Sequence, residues 1–165
     1  MLRLSDIPRY EMLAEHAKRY PTMDPVASEA FIVLLHTGNR MSRRAEQFLA
    51  GHGTTPARFV TLALLNREPD RPMSATELAN RTCVTKQTIT SLLDGLVADG
   101  FIERIAMEGD RRVTLVRLLP AGIEFLNRIM PHTFEAHKAV MSALTADEQR
   151  QLALLLRKVW PSLEE

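Results

Sequence analysis

The spacing of apolar residues changes at Gly100 from a helical repeat to a two-residue repeat. Before Gly100, apolar positions recur at i, i+3, i+4, i+7 and i+8, which predicts one buried face of a helix that begins after Thr85. These positions are Ile89, Leu92, Leu93, Leu96 and Val97. After Gly100, residues 101–108 and 113–119 alternate apolar and polar side chains, which predicts two antiparallel strands. Few supersecondary motifs contain a helix that ends at a glycine and is followed directly by a hairpin, so this pattern strongly restricts the fold of the region.

A short helix is predicted immediately before this unit. Ser74-Ala75-Thr76-Glu77 has the spacing of a capping box, in which the serine and glutamate side chains satisfy free backbone N–H groups at a helix start. This helix would cover roughly residues 75–81, and a short turn would separate it from Thr85. Two helices joined by such a turn and followed by a hairpin form a winged helix-turn-helix, whose second helix enters the major groove of DNA.

Four more helices are predicted on the two sides of this motif. One begins at Asp24-Pro25, with aspartate as N-cap and proline at the first helical position, and ends at Gly51. The next follows Thr54-Thr55-Pro56. A long helical stretch opens at Pro120, and a second capping box at residues 145–148 starts the last helix.

The predicted fold is mainly α with a small β-hairpin wing. A winged helix-turn-helix at residues 54–120 would be flanked by dimerisation helices at residues 1–53 and 121–165. The flanking segments contain more apolar helix than a winged-helix core of roughly 50 residues could cover by itself. We therefore expect a two-fold homodimer, which would place two reading helices about one DNA turn, ~34 Å, apart on a near-palindromic site.

The polar face of the helix after Thr85 suits the edges of DNA bases. A glutamine pairs bidentately with adenine, serine and threonine hydroxyls bond to most bases, and a helix N-terminus favours a phosphate. Six of the seven residues from 85 to 91 are polar and none is acidic, whereas an ordinary exposed helix face is usually rich in Glu and Lys. The predicted DNA-binding residues of this helix are Thr85, Lys86, Gln87, Thr88, Thr90 and Ser91. Asp94 is predicted on the same side of the helix.

The predicted tip of the hairpin carries Asp110, Arg111 and Arg112 beside Gly109. Arginines at such a tip could reach a flanking minor groove, because narrow A·T-rich DNA concentrates negative potential there. Asp110 could hold one guanidinium in a fixed orientation. Without its neighbours the same segment is better explained as an ordinary charged surface turn, in which an ion pair contributes ~0–1 kcal/mol.

Residues 74–122 resemble the MarR family of winged-helix transcriptional regulators, and the helices on both sides follow the family's order. The most specific segments are LLDGLVADGFIER and the DRR that precedes VTLVRLLPAG. The resemblance implies a DNA-binding repressor that binds a palindromic operator as a homodimer. It also implies a response to a small aromatic or phenolic ligand, without identifying the residues that bind it. It also implies that Arg112 enters the minor groove, that Asp110 orients it, and that Arg111 contacts phosphate or supports the wing. Leu119 stands where many relatives have an N-capping threonine.

Composition narrows the alternatives. A net charge of +1 and a pI near 8.0 exclude a strongly basic nucleic-acid coat, so DNA binding must come from local placement of charge. The longest apolar runs are shorter than the ~18–20 residues of a membrane span, and a signal peptide is not expected, so we expect a cytoplasmic protein. The spacing of the five histidines and the single cysteine predicts no metal site, and no cofactor motif is present.

Two further interpretations stay open at this stage. Cys83 could be a thiol-based redox sensor, although a buried structural cysteine in the helix-turn-helix is favoured. A winged-helix dimer could also serve as a protein-interaction module, although Lys86, Arg111 and Arg112 argue for DNA instead. An enzyme is not expected, because no nucleophile and base lie at motif spacing and no phosphate-binding glycine loop is present.

Overall fold

The described residues of the computed structural model, 8–82, 84–107 and 110–163, confirm a mainly α fold with a small antiparallel sheet. In chain order the elements are α1 (Tyr10–Arg19), α2 (Pro25–Gly51), α3 (Pro56–Arg67), β1 (Met73–Ser74), α4 (Ala75–Thr82), α5 (Lys86–Ala98), β2 (Ile102–Met107), β3 (Asp110–Leu118), α6 (Pro120–Met141) and α7 (Ala146–Val159), followed by a 3-10 turn at Trp160–Leu163. The chain divides into two compact units, Met1–Phe59 and Val60–Glu165. The three-part domain division at residues 54 and 121 stays a prediction.

The N-terminal unit is built on α2, which starts as predicted. The Asp24 carboxylate accepts hydrogen bonds from the backbone N–H groups of Val26 and Ala27 at 2.9 and 3.1 Å. The sequence analysis did not predict α1, whose N-cap Arg9 makes no side-chain capping hydrogen bond. It is joined to α2 by the Tyr10 backbone N–H, which donates to Glu29 Oε1 at 3.0 Å, and Leu13 is its buried residue.

The second unit contains the sheet, whose strand order is β1-β3-β2 with antiparallel pairing throughout. Met73 lies opposite Val116, and Ile102 lies opposite Leu118, so the wing strands and the short strand β1 share one buried face. Helices α3 to α6 contribute the other side chains of this core. Its fully buried apolar members are Leu62, Leu65, Met73, Leu78, Ile89, Leu93, Leu96, Ile102, Val116, Leu126 and Ile129.

Helix α5 ends in a Schellman motif at Gly100, as the sequence predicted. Gly100 has a φ of +71°, its N–H donates to the Val97 carbonyl at 2.9 Å, and the Phe101 N–H donates to the Leu96 carbonyl at 3.0 Å. The left-handed backbone turns the chain sharply from the helix into β2. Gly100 therefore both ends the helix, with hydrogen bonds to its last carbonyl groups, and sets the direction in which β2 leaves it. Only three residues, 99–101, separate α5 from β2.

Both predicted capping boxes are helix starts. At α4 the Glu77 backbone N–H donates to Ser74 Oγ at 3.1 Å. At α7 both halves of the box form, since the Glu148 N–H donates to Thr145 Oγ1 and the Thr145 N–H donates to Glu148 Oε2 at 2.7 Å. The hydrogen bond from the Thr145 backbone, with one from its hydroxyl, lowers the pKa of the Glu148 carboxyl below its ordinary value.

Candidate nucleic-acid interface

The first turn of α5 is closed by its own threonines. Thr85 is the N-cap, and its Oγ1 accepts the Thr88 backbone N–H at 3.1 Å and lies 2.8 Å from the Thr88 hydroxyl. The second contact engages the Thr88 hydroxyl within the turn, while Lys86 extends from the same turn with an exposed side chain. The helix therefore offers a positive dipole end and a cation in one place, which is an arrangement that favours a phosphate.

The exposed face of α5 matches the predicted set. Thr85, Lys86, Gln87, Thr88, Thr90 and Ser91 are all exposed, and Ile89 and Leu93 on the opposite side are buried. The Thr90 hydroxyl donates to the Lys86 carbonyl at 2.9 Å, so toward DNA it can only accept. Within the described part of the chain, the side chains of Gln87 and Ser91 form no hydrogen bond, which leaves their donors and acceptors available for base edges.

The wing differs from the prediction at its tip. Strand β3 begins at Asp110, which lies opposite Met107, so the backbone of Asp110, Arg111 and Arg112 belongs to the strand and not to a loop. The reason is a register irregularity between Ala106 and Met107, which lets pairing resume closer to the turn than the alternation indicated. Gly109 and the side chains of these three residues lie outside what the structure describes, so their predicted roles stay predictions.

An ion pair that the sequence analysis missed joins α5 to the wing. The Arg104 guanidinium on β2 donates to Asp94 Oδ1 on α5 at 2.7 Å, and the side chains of these residues are 40% and 62% exposed. The available signal was an acid at the end of the polar face followed by an arginine in the strand after Gly100. These two residues can form an ion pair only because the Schellman turn places β2 beside α5, which the sequence alone does not show.

The base of the wing is packed against α6 without space for a side chain at Gly122. The Phe101 carbonyl accepts the Leu119 backbone N–H at 2.9 Å, and the rings of Phe101 and Phe125 lie 4.8 Å apart. A Cβ on Gly122 would lie 2.5 Å from that carbonyl oxygen and 2.7 Å from Leu118 Cδ1. Leu119 caps α6 without a side-chain hydrogen bond, so this close packing fixes the start of the helix instead.

A charge network connects the loop after α3 to α4. Arg71 bridges Glu68 and Glu77 at 2.7 and 2.8 Å, and Arg81 donates to Glu68 at 2.9 Å. Hydrogen bonds from Arg71 and then from Arg81 lower the pKa of the Glu68 carboxyl, and Glu68 followed by Glu77 raises the pKa of Arg71. Because the two positive and two negative charges cancel, the network adds nothing to the net positive charge of this surface.

Three other questions raised by the sequence concern a redox cysteine, a metal site and a membrane span. Cys83 lies outside the described residues, so a redox role remains untested. Among the described residues, no group of three or more His, Cys, Asp or Glu side chains is placed to hold a metal ion. None of the described helices is both long and apolar enough to cross a membrane.

Comparison with known proteins gives a consistent result. A sequence model described as the MarR family matches residues 52–113. The HTH-type transcriptional repressor YetL of Bacillus subtilis is 34% identical over 162 residues, which cover 98% of this chain and 97% of that protein. A cysteine-to-serine mutant of MarR from E. coli, solved in complex with operator DNA, is 29% identical with a TM-score of 0.68, over 76% of this chain and 90% of that chain. Sco3205 from Streptomyces coelicolor, a MarR family regulator solved with DNA, has a TM-score of 0.78 at 22% identity and covers 87% of this chain and 91% of that chain, which shows a shared fold.

Proposed function

This chain belongs to the MarR family, and we propose that it is a cytoplasmic transcriptional repressor that binds a palindromic operator as a homodimer. The observation that carries the proposal is the N-terminal half of α5. It combines a capped helix start, an exposed lysine and two exposed polar side chains, Gln87 and Ser91, next to a two-stranded wing. In this proposal Gln87 and Ser91 read bases in the major groove, while Thr85 and Lys86 hold a phosphate.

The wing supplies the second part of the interface. We assign Arg112 to the minor groove, Asp110 to orienting it and Arg111 to phosphate, with the family resemblance as support. The Thr90 hydroxyl donates to the Lys86 carbonyl, so it can only accept from DNA. The Thr88 hydroxyl shares a hydrogen bond with the Thr85 hydroxyl, so Thr88 contributes mainly through its shape. Base reading in the major groove and charge-driven insertion in the minor groove then contribute separately to recognition.

The homodimer is supported by apolar surface that the single chain leaves open. Helix α7 repeats leucine and valine at i, i+3, i+4 and i+7, yet Leu152, Leu155, Leu156 and Val159 are 37%, 51%, 40% and 43% exposed. Within the described residues of α7, none is buried. A 14-residue helix is marginally stable in water by itself, so a second copy of the chain is the proposed partner of this stripe.

Modulation by a small aromatic or phenolic ligand completes the proposal, and family membership is its support. A ligand can act on DNA binding only by its difference in affinity between the DNA-competent conformation and others. It would therefore be detected as a compound that changes operator affinity without changing binding to unrelated DNA.

Fluorescence anisotropy tests the proposal with DNA from upstream of the protein's own gene and a scrambled duplex, at two salt concentrations. We expect binding that prefers the upstream DNA and weakens as salt rises. Gln87→Ala should relax preference at one base pair per half-site by ~1–3 kcal/mol, while Arg112→Ala should weaken binding most where the flanks are A·T-rich. Equal losses on all sequences in both variants would contradict this division of roles.

Two controls separate the parts of the proposal. Sedimentation of Leu155→Glu should show monomer, because the charge would lie in the middle of the α7 stripe, and DNA affinity should fall with it. Binding that shows no sequence preference at any salt concentration would point to the protein-interaction function instead.

A further inference from the structure

Asp94 is an acid on a surface proposed to face a polyanion. It lies on the exposed face of α5, three residues after Ser91, and its side chain is 62% exposed. It is the single acidic residue of the helix. A carboxylate in this position would repel the DNA backbone unless a cation accompanied it. The base-reading roles proposed for Gln87 and Ser91 do not involve it.

Arg104 supplies the cation, and its backbone lies in the regularly paired part of the wing. It pairs in register with Val116 on β3, next to the buried pair formed by Ile102 and Leu118. From there its Nη2 reaches Asp94 Oδ1 at 2.7 Å. The pair thus connects the polar face of α5 to β2, which is itself paired with β3, and it engages one nitrogen of the Arg104 guanidinium with a protein carboxylate.

We propose that the Asp94–Arg104 ion pair is a positioning device for DNA recognition, in which Arg104 neutralises Asp94 and holds the wing at a fixed place beside α5. The inference rests on the proposed function, which it deepens. Arg104 does not contact DNA in this scheme. Arg104 affects operator affinity only by pairing with Asp94, so the effects of substituting the two residues must be coupled. Removing the arginine must lower operator affinity only while the Asp94 carboxylate is present.

A double-mutant cycle on operator affinity tests this dependence. Arg104→Gln leaves Asp94 unpaired beside the phosphates, and we expect operator binding to weaken about tenfold. In an Asp94→Asn background the same change should alter affinity by less than about twofold. Arg104→Lys preserves the charge and should stay within about threefold of wild type. The salt dependence distinguishes a positioning residue from a contact, because losing one phosphate contact lowers the slope of log K against log[salt] by ~0.9.

Arg117→Gln is the matched control. Arg117 lies in the adjacent strand β3 and pairs with Glu103, with both Nε and Nη2 donating to Oε1, so the variant removes the same charge from the wing without touching α5. We expect operator affinity near wild type. Equal weakening by Arg117→Gln and Arg104→Gln would overturn the inference, because bulk charge of the wing would then explain both. Additive effects of Arg104→Gln and Asp94→Asn, or a reduced salt slope in both Arg104→Gln backgrounds, would overturn it as well.

The proposed function and this inference fail in different ways. The proposed function fails if wild-type protein shows no preference for the operator over the scrambled duplex. The ion-pair inference fails if wild-type protein has that preference and the cycle is additive. Circular dichroism melts of the four proteins in the cycle complete the test. Because the ion pair is partly exposed, its loss should change the free energy of unfolding by less than it changes the free energy of operator binding.

Discussion

Gly122→Ala tests whether close packing at the base of the wing sets the geometry of DNA recognition. The new Cβ would lie 2.5 Å from the Phe101 carbonyl oxygen and 2.7 Å from Leu118 Cδ1, inside the 3.0 Å limit that Cβ atoms essentially never cross. The leucine methyl can rotate away. The carbonyl cannot, because it belongs to the backbone and accepts the Leu119 N–H at 2.9 Å. The start of α6 and the strand root must therefore move apart.

The size of the effect follows from two opposing contributions. Overpacking of this kind costs ~1–3 kcal/mol, and replacing a helical glycine by alanine returns up to ~1 kcal/mol of helix propensity. We expect the free energy of unfolding to fall by roughly 1–2 kcal/mol, which corresponds to a Tm about 2–8 °C lower for a chain of this size. Almost all molecules stay folded after such a loss. A lower operator affinity of folded Gly122→Ala would consequently report altered geometry of the wing.

Urea unfolding followed by circular dichroism measures the stability term, at one protein concentration because dimers unfold in a concentration-dependent way. Gly38→Ala in α2 is the matched control, since a Cβ there meets no atom of the chain within 4 Å. It should be as stable as wild type or slightly more stable, through helix propensity alone. If Gly122→Ala proved as stable as Gly38→Ala and bound the operator normally, the steric argument would be wrong.

Two other predictions concern helix starts. Thr85→Ala removes the α5 N-cap and should lower the free energy of unfolding by ~0.5–2 kcal/mol in urea titrations. Thr90→Ala is the control and should change this free energy little, because the Thr90 hydroxyl bonds to a carbonyl within the helix. Equal effects of the two substitutions would argue against the capping role. Glu148→Gln tests the lowered pKa of the α7 capping box: the ionised carboxylate stabilises the fold above the unfolded-state pKa, and this contribution disappears as the pH falls through the lower pKa of the folded state. Wild type should therefore melt higher than Glu148→Gln at neutral pH and converge with it in acid, and parallel Tm profiles at all pH values would refute the assignment.

Local signals predicted most of the helical framework. Residues Asp24, Ser74, Thr85 and Thr145 mark helix starts because a capping side chain acts within three residues of itself, and the left-handed stop at Gly100 is equally local. The exposed polar face of α5 followed from periodicity, which can be read without knowing the residues that pack against the helix. Such features are readable in one sequence because the interacting groups are close in the chain.

The elements that escaped prediction depend on distant partners. Strand β1 has two residues, and Met73 becomes a strand residue only by pairing with Val116. Helix α1 lacks a side-chain cap and is held by the contact of Tyr10 with Glu29, nineteen residues away. The start of β3 at Asp110 depends on a register shift between β2 and β3, where the partner of β2 changes from Thr114 to Asp110. None of these interactions has a short-range sequence signature, since pairing register and packing are set after the local elements exist.

The same distinction between local and distant contacts bears on the proposal that α5 reads DNA bases. Its start is fixed by Thr85, its middle by the ion pair from Arg104, and its end by the Gly100 turn that leads to Phe101 under α6. Because the helix is fixed at three points, its backbone should lose little conformational entropy when it binds DNA. In the proposed function, the side chains of Gln87 and Ser91 then remain available for base contacts. A chain with a net charge of +1 gains little affinity for arbitrary DNA. Discrimination between operator and other DNA should therefore come from this fixed geometry and widen as salt suppresses the non-specific background.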